Sequence, residues 1–430
     1  MLTSLYTGVS GINAHMSEMS VVGNNLANMN TYGFKGSRSY FEDIINQSLS
    51  GVSGDNSVGL GVLMSAVMPS FTQGAFETTE NPLDLAVDGS GFFVMKDADN
   101  ATFYTRAGQF KLDKDGYIVN QAGLFLQGFQ VDSRGNVLNS VANLQVTSSS
   151  YPPQPTAEVA IQANLHSDAE TLPAFDVDDT DNTSNFATTV TVFDSLGNGH
   201  PVDVCFRKDQ ELPAGNLWEW YAVIDADAAQ SGVKEIAAQG TLQFTSTGAL
   251  DSAGAISYPT GGFDFSGGAA QDQQIAFNFG TSIADSGTGL EGVTQFGAPS
   301  GVYSLQQDGY ESGSLQGVSI DDSGMLTGSF SNGKMRALGQ VALADFPSAS
   351  GLQSVGQMLF CESPFSGTAV IGTAGNEGMG AIRSNTLELS NVDLAGEFVR
   401  MITAQKGFQA NSKVITTTDE ILTDLVNLKR

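Results

Sequence analysis

Two apolar stripes, one at each end of the chain, limit the fold more than any other feature. Leu2, Leu5, Val9, Ile12, Met16, Met19 and Leu26 recur at alternating spacings of three and four residues, with one gap at Gly23. At the far end, Leu394, Phe398, Met401, Phe408, Ile415, Leu422 and Val426 follow the same rhythm, with Gln405, Ser412 and Asp419 filling the intervening positions. This spacing places each set on one helix face, in heptad positions that meet a partner helix. Ile402, Ile421, Leu425 and Leu428 widen the second stripe. The first helix is rich in Gly, Ser, Thr and Asn, so its intrinsic propensity is poor and alone it would be marginal in water. Two such helices can cover the chain's own core, or can pair with each other and with neighbouring copies.

Charge favours the second reading. The 430 residues carry 18 Lys and Arg against 46 Asp and Glu, a net charge of -28. Residues 1–50 hold two basic and three acidic residues, and residues 381–430 hold six of each. Nearly the whole excess therefore lies between two almost neutral ends. A strongly acidic body stays soluble and apart from its copies, while neutral ends are free to pack. The same balance argues against binding nucleic acid through its phosphates, which needs a basic footprint. It also disfavours an anionic membrane surface. No apolar run is long enough to span a bilayer, so no membrane insertion is expected. The first basic residue is Lys35 and no apolar run follows Met1, so an ordinary cleaved secretory signal is not expected.

The body, about 70–380, reads as β. Short apolar runs such as 91–95 and 109–112 alternate with turn signals. Asp88-Gly89, Asp115-Gly116, Asp308-Gly309 and Asn332-Gly333 each lie near β-favouring residues. The spacing suits antiparallel sandwiches or small barrels rather than alternating strand–helix units. Residues 147–160, with Ser148, Ser149, Ser150, Pro152, Pro153 and Pro155, read as a linker. The expected fold class is mainly β: antiparallel sandwich or barrel domains in the middle, nested by insertion, with N- and C-terminal helices pairing as a coiled coil. The expected boundaries are 1–30 with 385–430 for the paired helices and 31–70 for an extended connection. One β domain would be built from 71–145 and 304–384, with an inserted β domain at 146–303.

Catalytic chemistry is not visible. His15, His166 and His200 are far apart and none stands at metal-ligand spacing. The stretch 328–334 imitates the start of a phosphate-binding loop, but Met335 stands where the magnesium-binding Ser or Thr belongs. Asp176, Asp178, Asp179, Asp181 and Asn182 could attract Ca²⁺, yet lack the Gly and closing Glu of an EF-hand loop, so a solvated acidic loop is the better reading. Trp218-Glu219-Trp220-Tyr221 could floor a sugar site, although an alternating strand with two buried indoles fits better. Cys205 and Cys361 form no disulfide framework and read as buried thiols. Neither an enzyme activity, a cofactor nor a bound metal is expected.

Short motifs at the ends carry a resemblance. The run Asn24-Asn25-Leu26-Ala27-Asn28, followed by Thr31, Gly33, Phe34 and Lys35, resembles the N-terminal signature of the bacterial flagellar rod and hook family. Ser390-Asn391-Val392-Asp393-Leu394, then Gln405 and Asn411, is similar to its C-terminal signature, with Lys406-Gly407 departing from the usual Arg after Gln405. Stretches at 87–94, 104–110, 126–129 and 303–320 resemble the family's shared β domain, and 331–334, 342–346 and 351–352 look hook-like. Rod members resemble the chain but lack a large insertion such as 146–303.

The resemblance implies a structural subunit. It would polymerise into a short curved tube joining rod to filament, a flexible universal joint. The stripe residues named above would form the assembly interface, with the terminal helices lining the inner wall. The implied partners are other copies of the chain, the distal rod protein, the hook cap protein, the hook–filament junction protein and the flagellar type III export apparatus. It also implies an extracellular location at the basal body, reached without a cleaved signal. Two other readings stay open: a rod protein with an insertion, and a secreted β-rich surface protein binding Ca²⁺ or glycans through 176–221.

Overall fold

Two long helices frame a chain that is otherwise mostly strand. The computed structural model describes residues 2–44, 47–48, 57–132, 135–146, 150–209, 216–376 and 378–427. The stripe position Leu428 and the side chains of Leu2, Leu425 and Val426 lie outside the described residues. Among the described residues, no helix is long and apolar enough to cross a membrane. The chain divides into two compact units, one of 1–148, 316–329 and 335–430, the other of 149–315 and 330–334.

The first unit contains α1 (Leu2–Ala27) and α2 (Leu394–Asn427). At the start of α2, Asp393 takes the capping position, and its Oδ1 accepts the Ala395 amide at 3.1 Å. The segment after α1 forms a two-stranded antiparallel ribbon of β1 (Ser37–Asp43) and β2 (Val62–Pro69). A bulge at Tyr40/Phe41 shifts its register. The ribbon runs along α1: Asn25 binds Ser37 at one end, and Ser10 Oγ accepts the Val62 amide at 3.3 Å near the other.

Below the ribbon lies a large sheet that joins distant stretches of chain. Phe92–Lys96 pairs with Thr102–Thr105, Phe125–Val131 and Met335–Asp345, all antiparallel. Strands on both sides of the second unit thus share one sheet, with Gly128 opposite Val341 and Phe93 opposite Leu343. Its alternating side chains fill two faces. Phe93, Met95, Leu126 and Leu343 are fully buried, while on the other side Phe92 and Phe360 pack edge-to-face with Phe71, and Phe346 does so with Phe92 and Tyr104.

The second unit is a sandwich. One sheet is an antiparallel meander of Phe186–Phe193, Gly199–Lys208, Asn216–Ile224, Glu235–Phe244 and Leu250–Ala253. The other is built on Glu158–His166, whose register runs antiparallel to Gly301–Gln307 and parallel to Ala276–Asn278 and Thr294–Phe296. The parallel pairs depart from the all-antiparallel expectation. They arise where the Gly- and Ser-rich stretch about 254–293 carries the chain back before each short strand. Val159, Ile161, Val204, Phe206, Trp218, Trp220, Phe263 and Phe277 close one core between the sheets.

Three of the four turn dipeptides lie in turns, with Gly89, Gly116 and Gly333 at positive φ. Asp308-Gly309 does not form a hairpin. Its carboxylate instead accepts the amides of Ala157 and Glu158 at 2.8 and 3.0 Å. The expected linker 147–160 is shorter than its composition suggested: Tyr151 and Gln154 already bridge to Gly313 and Tyr310, and the first strand starts at Glu158.

Candidate assembly interface

The two terminal helices meet through small and polar residues. A Cβ on Gly8 would stand 2.9 Å from Ile415 Cγ1, and one on Gly11 would stand 2.6 Å from Asn411 Nδ2. A Cβ on Gly407 would stand 2.5 Å from His15 Cε1. As the α1 number rises from 8 through 11 to 15, the α2 number falls from 415 through 411 to 407, so the helices run antiparallel. Ala14, Val22, Ala404 and Thr418 are buried. The contact face of α1 therefore runs through positions 8, 11 and 15, one residue before the stripe positions Val9, Ile12 and Met16. One residue is about 100° around a helix. On α2 the contacting Gly407 and Asn411 also precede the stripe positions Phe408 and Ser412, and the two rows merge at Ile415.

The apolar stripes are consequently left beside the seam. Val9 and Met16 are 47% and 51% exposed, and Phe398 and Ile402 are 46% and 55% exposed. Leu394 is exposed as well, and Leu5, Ile12, Met19, Leu26, Met401, Phe408, Ile415 and Leu422 are partly covered. Leu63, Val67 and Met68 on β2 add further exposed apolar surface.

At the base of the helices, the terminal motifs build a buried polar knot. Lys35 Nζ lies 2.7 Å from Glu388 Oε1, and both side chains are fully enclosed. The same ammonium donates to the Thr72 carbonyl at 2.9 Å, and Glu388 Oε1 also accepts the Gly74 amide at 2.8 Å. Arg106 Nη1 stands 3.5 Å from Glu388 Oε2, while its Nη2 donates to the Gly89 carbonyl at 2.7 Å and its guanidinium covers the Phe92 ring. Burial pulls the Lys35 ammonium below the ordinary lysine value, and the Glu388 carboxylate opposes that pull. Arg106 is lowered by burial and supported by Glu388 in the same way.

The motif asparagines complete the knot. Asn25 exchanges two hydrogen bonds with the backbone of Ser37, at 2.8 and 2.9 Å. Asn391 accepts the Gly36 amide at 2.8 Å and donates to the carbonyls of Ser70 and Thr72. Gly33, at φ 68°, donates its amide to the Glu388 carbonyl and leaves no room for a side chain against the Ala107 backbone. Asn28 accepts from Thr31 Oγ1 and donates to Asn24. The knot forms only when residues 24–37, 70–74, 106 and 388–391 have all come together.

Comparison with known proteins accounts for these motifs. Residues 5–35 match the family model for the flagella basal body rod protein, and 383–428 that for the flagellar basal body rod FlgEFG protein C-terminal. Residues 86–167 match the flagellar hook protein FlgE/F/G D1 domain, and 163–310 the flagellar basal body protein FlaE D2 domain. The flagellar hook protein FlgE of Treponema pallidum is 37% identical, with 100% of each chain covered. That of Salmonella typhimurium is 34% identical, covering 99% of this chain and 100% of its own. The chain belongs to the flagellar hook protein FlgE family. A crystal structure of Helicobacter pylori flagellar hook protein FlgE2 shares the fold, with a TM-score of 0.50 at 16% identity, covering 73% of this chain and 100% of that one.

Within this hook-family chain, the other candidates are structural. Trp218 and Trp220 are buried in the second unit's core, so neither can floor a sugar site. The acidic loop spends its groups locally: Asp176 Oδ1 accepts the Asp178 amide, and Asp179 accepts from Asn182. Among the described residues, no group of three or more His, Cys, Asp or Glu could hold a metal ion. His200 stacks on Phe265 and binds Asp194 at 3.0 Å. Cys205 is buried, which pushes its thiol up to about 11, and Cys361 is partly covered.

The motifs and stripes of the sequence give no role to Arg106 or Glu388. The available signal was a carboxylate set between two leucines, Leu387-Glu388-Leu389, in a β context. Gly8 and Gly11 carry no part of the stripe pattern, and Gly407 stands out in the sequence only as a departure from the motif, although glycines inside helices need a packing reason.

Proposed function

We propose that the chain is the repeating subunit of the flagellar hook, polymerising through its terminal helices into a short flexible tube between rod and filament. The carrying observation is the pair of apolar stripes left uncovered beside a seam that small residues already close. Such stripes need further apolar partners, and other copies of the same chain supply them. The contacts run head-to-tail, because heterologous interfaces that do not close on themselves build helical tubes. In this reading the acidic outer surfaces slide past one another as the tube bends, through hydrated polar contacts.

The terminal partners of the tube are the distal rod protein, the cap protein and the hook–filament junction protein. The subunit reaches the tip through the flagellar type III export apparatus, and its role there is structural. The test is immunogold electron microscopy of intact flagella with antibodies against residues 150–300. Gold is expected only on the short curved segment between envelope and filament. Label on the straight segment inside the envelope would move the protein to the rod, and label elsewhere on the cell surface would refute assembly in the appendage.

A further inference from the structure

We propose that His15 and Gly407 set the register in which α1 and α2 pair, and with it the placement of the two exposed stripes that neighbouring subunits meet. This rests on the self-assembly reading and names its positioning residues. The seam holds three notches. Gly8 receives Ile415 and Gly11 receives Asn411, so α1 supplies two of them. These two do not fix register, because a slip of one turn brings Ile415 onto Gly11, another notch. On α2, Gly407 faces the planar ring of His15. A Cβ there would stand 2.5 Å from Cε1 and 2.8 Å from Cδ2. A slip of one turn sets His15 against Ala404 or Asn411, both of which carry the Cβ that the ring cannot meet. On the ring's other side Nδ1 stands 3.5 Å from Glu18 Oε2.

Register matters because the stripes flank the seam. A slip of one turn moves Phe398 and Ile402 about 5 Å along α1 relative to Val9 and Met16. A neighbour shaped to one arrangement meets gaps in the other. The inference also predicts a sign opposite to helix propensity. Gly→Ala inside a helix ordinarily favours the helix. Here the added methyl collides with His15, so Gly407→Ala opposes pairing.

The test uses the full-length chain and sheared hook fragments as seeds, with the critical concentration for polymerisation read by sedimentation. Gly407→Ala is expected to raise that concentration about tenfold or more. His15→Ala combined with Gly407→Ala is expected to return it to within about threefold of wild type, since the double change removes the collision. Fluorescence of Trp218 and Trp220, both in the second unit, should melt as in wild type for each variant. Gly407→Ala polymerising as well as wild type, or a double variant no better than Gly407→Ala, overturns the register role. A wild-type chain that never adds to the seeds overturns the assembly reading itself.

Discussion

In the second unit, Trp218, Trp220, Phe206, Phe244, Phe263 and Phe265 are enclosed between two sheets. Between the terminal helices, the enclosed residues include Gly8, Gly11, Ala14 and Ala404, while Val9, Met16, Phe398 and Ile402 face outward. Both regions contain enough apolar residues for a core, but they place them on opposite sides of their own contact. Burial of apolar surface is the dominant favourable term in folding, and in the second unit the large aromatic core is enclosed within one chain. In the helix pair most of that burial is left to be made with other copies. One region is therefore finished by folding and the other by assembly.

The largest break in this comparison should come from Phe398→Asp. A carboxylate on the exposed stripe would be buried without a partner on assembly, so polymerisation should be abolished. The second unit should keep its wild-type thermal melt, since Phe398 lies in the first. Seeded sedimentation and tryptophan fluorescence on one sample read both. A variant that still polymerises would move the interface off this stripe.

Lys35→Met tests the polar knot at the base of the helices. It leaves Glu388 buried with the Gly74 amide and Arg106 as its remaining partners, and breaking one side of a buried pair costs roughly 3–5 kcal/mol. Denaturant unfolding should show that loss in the first unit and none in the second. Lys35→Met with Glu388→Leu, which removes both sides of the pair, should recover part of it.

Asp194→Asn should have the smallest effect, confined to the second unit. Burial opposes ionisation of Asp194, but hydrogen bonds from His200, from the Asn198 side chain and amide, and from the Leu196 amide outweigh it and hold the carboxyl below its usual 3.8. A carboxylate lowered in the folded state contributes stability above its unfolded value and loses it as pH falls through the folded one. The variant should therefore be less stable by about 1–3 kcal/mol at neutral pH. The gap should narrow as pH drops below 3.8. A gap that widens on acidification would contradict the assignment.

Much of this architecture was legible in the chain because its signals are local. The 3–4 spacing of Val9, Ile12 and Met16 marks α1, and the alternation around Trp218 and Trp220 marks a buried strand. Both elements occur where their periodicities put them. What escaped depends on distant partners. Lys35 and Glu388 are separated by 353 positions, and nothing in either neighbourhood announces the other. The seam escaped for a different reason. Apolar periodicity marks the face a helix most needs to bury, and here that face lies beside the contact between the two helices. The glycines that make that contact carry no hydrophobic signal. The parallel pairs around Glu158–His166 were hidden because short strands reached through long Gly- and Ser-rich loops have no pattern of their own.

Hydrogen exchange on the full-length chain, before and after seeding into hooks, tests the central claim most directly. Amides of 2–27 and 394–427 are predicted to exchange much faster than those of 158–208 and 216–306 in the free subunit and to become protected in the polymer. Terminal helices already protected in the free subunit to the level of the second unit would contradict the central claim, because they would then be complete without neighbours.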